Sequence, residues 1–275
     1  MYNRAVDSAR ILPDRERLSA VMAVILLAYT AAHFVQLPGR TLALGFAGVY
    51  LPLQFSINTL VAVLVAGLTA TGTDWLLREH PGLRGRPTLS HWLLPGMTAW
   101  VLSLPLASLP FGVQWWAVFT GAALLLFAVL VAEYNSLSPD SRLYLAATQA
   151  LSALTYGLFL ILAISIRGLA LRLFLALPAL GLGVFLASAR IQLLRGDQDW
   201  QPLQSFGITF ITLQIAAALH YLPISALGFG LTLLGLVYAL NLYASSLNRG
   251  QPPREAAREP LITLLVFWGL ALIVR

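Results

Sequence analysis

The chain is cut into apolar runs of about membrane length, separated by turns too short to hold a domain. The stretch 113-VQWWAVFTGAALLLFAVLVA-132 contains no charge at all. A helix needs roughly 20 predominantly apolar residues to cross the hydrocarbon core. Runs of this kind recur at 18–37, 57–77, 91–109, 113–134, 142–166, 169–194, 204–221, 223–246 and 260–274. Pro and Gly mark the joints: Pro38-Gly39, Pro81-Gly82, Pro110-Phe111-Gly112, Ser138-Pro139-Asp140 and Leu222-Pro223. Only 10% of residues are charged, against about 25% in a soluble domain. The expected fold is therefore an all-α polytopic membrane protein with about nine transmembrane helices. Residues 1–275 form one transmembrane domain in this reading, with a cytoplasmic loop at 247–259. The lipid bilayer is its first partner, and the apolar start at Leu18 reads as a retained span, since TAAHFVQLPGR is a poor cleavage site.

The segment 40-RTLALGFAGVYLPLQFSINTL-60 does not fit the helical pattern. Its apolar residues alternate: Leu42, Leu44 and Phe46 on one stretch, Val49, Leu51, Leu53 and Phe55 on the next, with Ala47-Gly48 between. A period of two on both sides of a tight turn predicts a short β-hairpin over 41–56. A short interfacial or re-entrant helix is the rival reading. Arginine placement decides whether the segment crosses the membrane. All 17 basic residues are Arg. With nine spans and a cytoplasmic N-terminus, only Arg40, Arg167, Arg172 and Arg275 lie outside, leaving 13 inside. A tenth span at 41–56 would reverse every later loop, giving 7 inside and 10 outside, or 10 and 7 with the N-terminus flipped. The positive-inside rule selects the nine-span arrangement, with the C-terminus outside a plasma (cytoplasmic) membrane. An open hairpin cannot sit among lipid tails with its edge groups unpaired, so it is expected at the outer interface. All 11 carboxylates then fall on the cytoplasmic side.

Composition also excludes chemistry. The net charge of +6 is accounted for by topology, so no nucleic-acid partner is inferred. Without Lys there is no Schiff base and no P-loop lysine. Without Cys there is no disulfide, thiolate nucleophile, iron–sulfur ligation or attached c-type haem. The chain has no G-x-S-x-G, H-E-x-x-H or D-x-x-D signature, and no internal repeat of the inverted-transporter kind.

Four groups of residues are left as candidates. Asp74, His80, His91 and Glu133 fall at the cytoplasmic ends of helices two, three and four. Together they are an Asp/His/Glu set of the sort used in acid–base catalysis or metal binding. No metal spacing is present, and simple helix-end capping and snorkelling competes, with Ser90 as an ordinary N-cap. His33 and His220 lie at matching depth near the outer ends of helices one and seven. Such a pair can ligate haem or a pigment, but the paired-helix spacing of b-type bundles is missing, so no cofactor is required. Thr148, Ser152 and Tyr156 with Gln149, then Gln214, then Tyr238, Asn241 and Ser245 are polar residues inside spans. They line a substrate cavity or hydrogen-bond between helices. Arg167 and Arg172 flank an outer turn without a nearby acid, suited to a lipid headgroup or an acidic partner.

Three function classes follow. A non-catalytic subunit or scaffold of a membrane complex, with protein partners, explains the missing motifs. A carrier or flippase for an apolar or amphiphilic molecule uses the polar residues of helices five, seven and eight. A lipid-modifying enzyme uses Asp74, His80, His91 and Glu133.

Overall fold

A computed structural model describes residues 13–34, 40–46, 49–55, 57–78, 80, 83, 88–137, 143–195 and 201–274. The expected turn at Ala47-Gly48, Glu79, Arg84, Arg86 and the carboxylates Asp140, Asp197 and Asp199 lie outside them. Nine long helices make up the described chain: α1 (Arg15–Phe34), α2 (Ile57–Leu77), α3 (Leu89–Ser108), α4 (Val113–Ser136), α5 (Tyr144–Gly168), α6 (Leu173–Arg195), α7 (Pro202–His220), α8 (Ala226–Asn248) and α10 (Arg258–Ile273). One helical turn, α9 (Pro253–Ala256), precedes the last. Seven of the segments are long and apolar enough to cross a bilayer: Leu60–Leu77, Val113–Ser136, Tyr144–Gly168, Leu173–Leu194, Pro202–His220, Ala226–Asn248 and Pro253–Ile273. The protein is thus a helical, multi-pass membrane protein.

Between α1 and α2 the backbone is extended. Strand β1 (Arg40–Phe46) pairs antiparallel with β2 (Val49–Phe55). The register sets Leu42 opposite Leu53, Leu44 opposite Leu51 and Phe46 opposite Val49.

Several helix ends differ from the hydropathy pattern, and local chemistry explains each. α1 begins three residues early because Asp14 Oδ1 accepts the Glu16 backbone N–H at 3.0 Å, satisfying a first-turn donor. α3 begins at Leu89 with Thr88 in the N-cap position, so Ser90 is not the cap. The Thr88 hydroxyl makes no capping bond because it is engaged by Asp74. The loop expected at 247–259 is partly helical, since Pro253 suits a first helical position and starts α9.

The chain divides into two compact units, Met1–Ala147 and Thr148–Arg275. In the first, the core is built on Ile25, Val65, Ala99, Trp115, Leu126 and Leu130. Tyr29 of α1 donates to the Ala99 carbonyl at 2.5 Å, and Trp115 Nε1 donates to the Leu106 carbonyl at 3.2 Å. In the second, glycines let helices approach closely. A Cβ on Gly183 would meet Leu162, and one on Gly230 would meet Ile164 and Leu160. Buried threonines on both units (Thr69, Thr98, Thr155 and Thr212) return their hydroxyls to the carbonyl four residues back. Where no water is at hand this satisfies the hydroxyl within its own helix.

Candidate functional site

Two polar sites stand out, one in each unit. The first lies where the C-terminus of α2, the N-terminus of α3 and the C-terminus of α4 meet. Asp74 projects from the last turn of α2 and is almost fully buried. Arg78, one turn on, holds Asp74 Oδ2 through Nε at 2.7 Å and Nη2 at 2.6 Å. The Thr88 hydroxyl donates to Asp74 Oδ1 and accepts from Trp92 Nε1 at 3.1 Å. Both oxygens of Asp74 are therefore engaged, and the residue clasps α2 to α3.

His91 lies one turn into α3. Its Nδ1 is 2.8 Å from Glu133 Oε2. Glu133 is 0% exposed and the His91 side chain is 13% exposed. This pair joins α3 to α4. Glu133 fixes the ring through Nδ1. His80, in the segment between α2 and α3, is buried with its ring edge against Tyr134, centroids 4.4 Å apart. Burial, and next the charge of His91, hold its imidazole below the ordinary range. The four residues singled out from the sequence thus share one end of the unit. Two of them bond to each other, while Asp74 and His80 have other partners. Among the described residues no three His, Asp or Glu side chains converge as a metal-ligand set.

The second site is a pocket of about 370 Å³ in the C-terminal unit, lined by Ile166, Arg167, Ala170, Leu171, Ala176, His220 and Phe229. Arg167 ties it to the turn between α7 and α8. Arg167, at the end of α5, donates through Nη1 to the His220 carbonyl. Its Nη2 donates to the Leu222 carbonyl at 2.7 Å and reaches Ile224 O at 3.4 Å. The guanidinium carbon lies 5.6 Å from the centre of the Phe229 ring. These partners are neutral. Among the described residues no carboxylate pairs with Arg167, and the acids of α9 and α10, Glu255 and Glu259, sit at the opposite end of the unit. Arg172 opens the following helix and is exposed. The pocket end of the unit is thus basic, with an otherwise apolar lining.

His220 lines this pocket. His33 belongs to the other unit, where it packs against Phe34, Phe111 and Trp115 at ring distances of 5.1–5.8 Å. Of the polar residues inside spans, Gln149 and Gln214 are exposed. Tyr156 and Tyr238 pack ring to ring at 5.0 Å. Asn241 is fully buried and donates to Ser188 Oγ at 3.1 Å and to the Val237 carbonyl at 2.9 Å. Ser188, Gln192 and Ser205 escaped the sequence reading. Their one visible signal is the four-residue spacing of Ser188 and Gln192 within an apolar helix.

A family model described as a protein of unknown function, DUF5656, matches residues 37–274, which leaves α1 outside. No curated protein and no solved structure matches the chain. The chain belongs to the DUF5656 family.

Proposed function

We propose that this member of the DUF5656 family binds an anionic amphiphile at the basic end of its C-terminal unit, as a carrier, flippase or lipid-binding subunit. One observation carries the reading: Arg167 lines a largely apolar pocket, and among the described residues no carboxylate lies beside it. A guanidinium held by three neutral carbonyls keeps its full charge, and its remaining donors suit a phosphate or carboxylate. The volume is at the low end for small-molecule sites, enough for a headgroup and a few methylenes. In the nine-span arrangement with the N-terminus inside, this end faces out. This reading ranks ahead of a purely structural scaffold because a scaffold needs no such pocket. His91 held by Glu133 favours the lipid-modifying enzyme as a second reading, with His91 Nε2 as base. Asp74, already tied to Arg78 and Thr88, serves there as a support.

The test is lipid binding by the purified chain in mild detergent. Phosphatidylglycerol should raise the melting temperature more than phosphatidylcholine does. Leu171→Trp, which fills the pocket without touching Arg167, should abolish that difference. Equal responses to the two lipids would refute the proposal.

A further inference from the structure

A second polar site is buried inside the C-terminal unit, where α6, α7 and α8 pack together. Gln192 of α6 is 6% exposed, and its Oε1 accepts from the Ser205 hydroxyl of α7 at 3.3 Å. Its Nε2 is buried and, among the described residues, has no hydrogen-bond partner. One helical turn back along the same face of α6, Ser188 bonds to Asn241 of α8. Asn241 Oδ1 is likewise buried and without a partner. The seam thus presents one open donor and one open acceptor.

Leaving such groups empty costs the full desolvation of each, and in hydrocarbon surroundings there is no bulk water to relieve it. Reversing the Asn241 amide does not help: it would place its oxygen against the Val237 carbonyl. An anion would suit the Gln192 amide but be repelled by Asn241 Oδ1. A cation would suit Asn241 Oδ1 but be repelled by the Gln192 N–H. A hydroxyl group, which can accept from the one or donate to the other, suits either.

We propose that this seam is an internal hydroxyl-binding site, filled by one or two water molecules or by the hydroxyls of a neutral headgroup. It is independent of the Arg167 pocket, which selects for negative charge. A buried water bridging such groups is a normal structural component. A headgroup hydroxyl in the same place would give the bundle a polar resting point in its interior.

The experiment is a high-resolution structure of the full chain in mild detergent, with melting curves of wild type and Gln192→Leu. An ordered oxygen within about 3.2 Å of Gln192 Nε2 or Asn241 Oδ1 is expected. Gln192→Leu should melt lower than wild type by about 3 °C or more. Monoacylglycerol is the probe for the source of the hydroxyl. If it raises the melting temperature of wild type but not of Gln192→Leu, the hydroxyl belongs to a lipid. If it raises neither while the density persists, the hydroxyl is water. A seam without any ordered oxygen overturns the proposal, and so does a Gln192→Leu chain that melts at or above wild type. If Gln192→Leu does not fold, the wild-type density decides alone.

Discussion

Gly235 sits in the middle of α8, facing α10. A Cβ added there would stand 2.4 Å from Phe267 Cβ and 3.0 Å from Phe267 Cγ. Carbon atoms in contact sit about 3.5–4.0 Å apart, so Gly235→Ala requires a separation of roughly 1 Å or more. The obstructing atom is a Cβ, fixed to its own backbone, so rotation of the Phe267 ring gives no relief and the helices must part. The same seam carries Ser225 Oγ bonded to the Val274 carbonyl at 2.9 Å and Trp268 Nε1 bonded to the Thr232 carbonyl at 3.3 Å. Gly228 also lies 3.2 Å, measured from an added Cβ, from the Ala271 carbonyl. Overpacking of this kind costs about 1–3 kcal/mol. Alanine also brings a helix-propensity gain of up to about 1 kcal/mol over glycine, which partly offsets it. Gly67→Ala on α2 isolates the steric part, because nothing lies within 4 Å of a Cβ there. The propensity gain is common to both substitutions, so their difference reports the clash. At about 2–4 °C per kcal/mol, Gly235→Ala should melt roughly 3–10 °C below Gly67→Ala. Both are read at one scan rate in one detergent, since unfolding here is expected to be irreversible. If the two variants melt together, α8 and α10 do not pack through Gly235.

Three further outcomes follow from the first unit. His91→Ala removes the ion-pair partner of a carboxylate that is 0% exposed and should cost about 3–5 kcal/mol. His91→Leu combined with Glu133→Met should cost much less than the two single changes added together, which a double-mutant cycle on melting temperature would reveal. His80 is held below its ordinary value by burial and then by His91. The unfolded chain therefore binds the extra proton first, and stability falls as pH drops through about 6.5. The fall levels off once the folded-state value is passed, and His80→Phe should flatten that part of the pH–stability curve. Because the chain has no cysteine, a single Gln54→Cys reports topology. Labelling by an impermeant thiol reagent from outside is expected, and labelling only from the cytoplasm would remove the nine-span arrangement.

The helices were legible because each carries its own signal: a bilayer-length apolar run ends where Pro, Gly or a charge makes continuing it costly. That signal is local, so it located α4 and α8 closely and missed what Asp14 and Thr88 do at helix starts. The candidate sites needed information that no local pattern holds. Asp74, His80, His91 and Glu133 could be assigned to one end of their helices from connection length alone. That Glu133 reaches His91, while Asp74 is taken up by Arg78 and Thr88, depends on the rotation of each helix about its axis. Hydropathy is nearly uniform around these helices, so it does not encode that rotation. The same limit explains Gln149 and Gln214, which are exposed, and Gln192, which is buried. An apolar helix in lipid has no water-facing side to mark, so a lone glutamine gives no clue to its direction. Arg167 shows the limit most clearly. Its place at an outer turn is visible in the sequence, but not that it folds over the carbonyls at the end of α7, residues more than fifty positions away. That long-range contact shapes the basic pocket, and among the described residues the partners of Arg167 are neutral carbonyls.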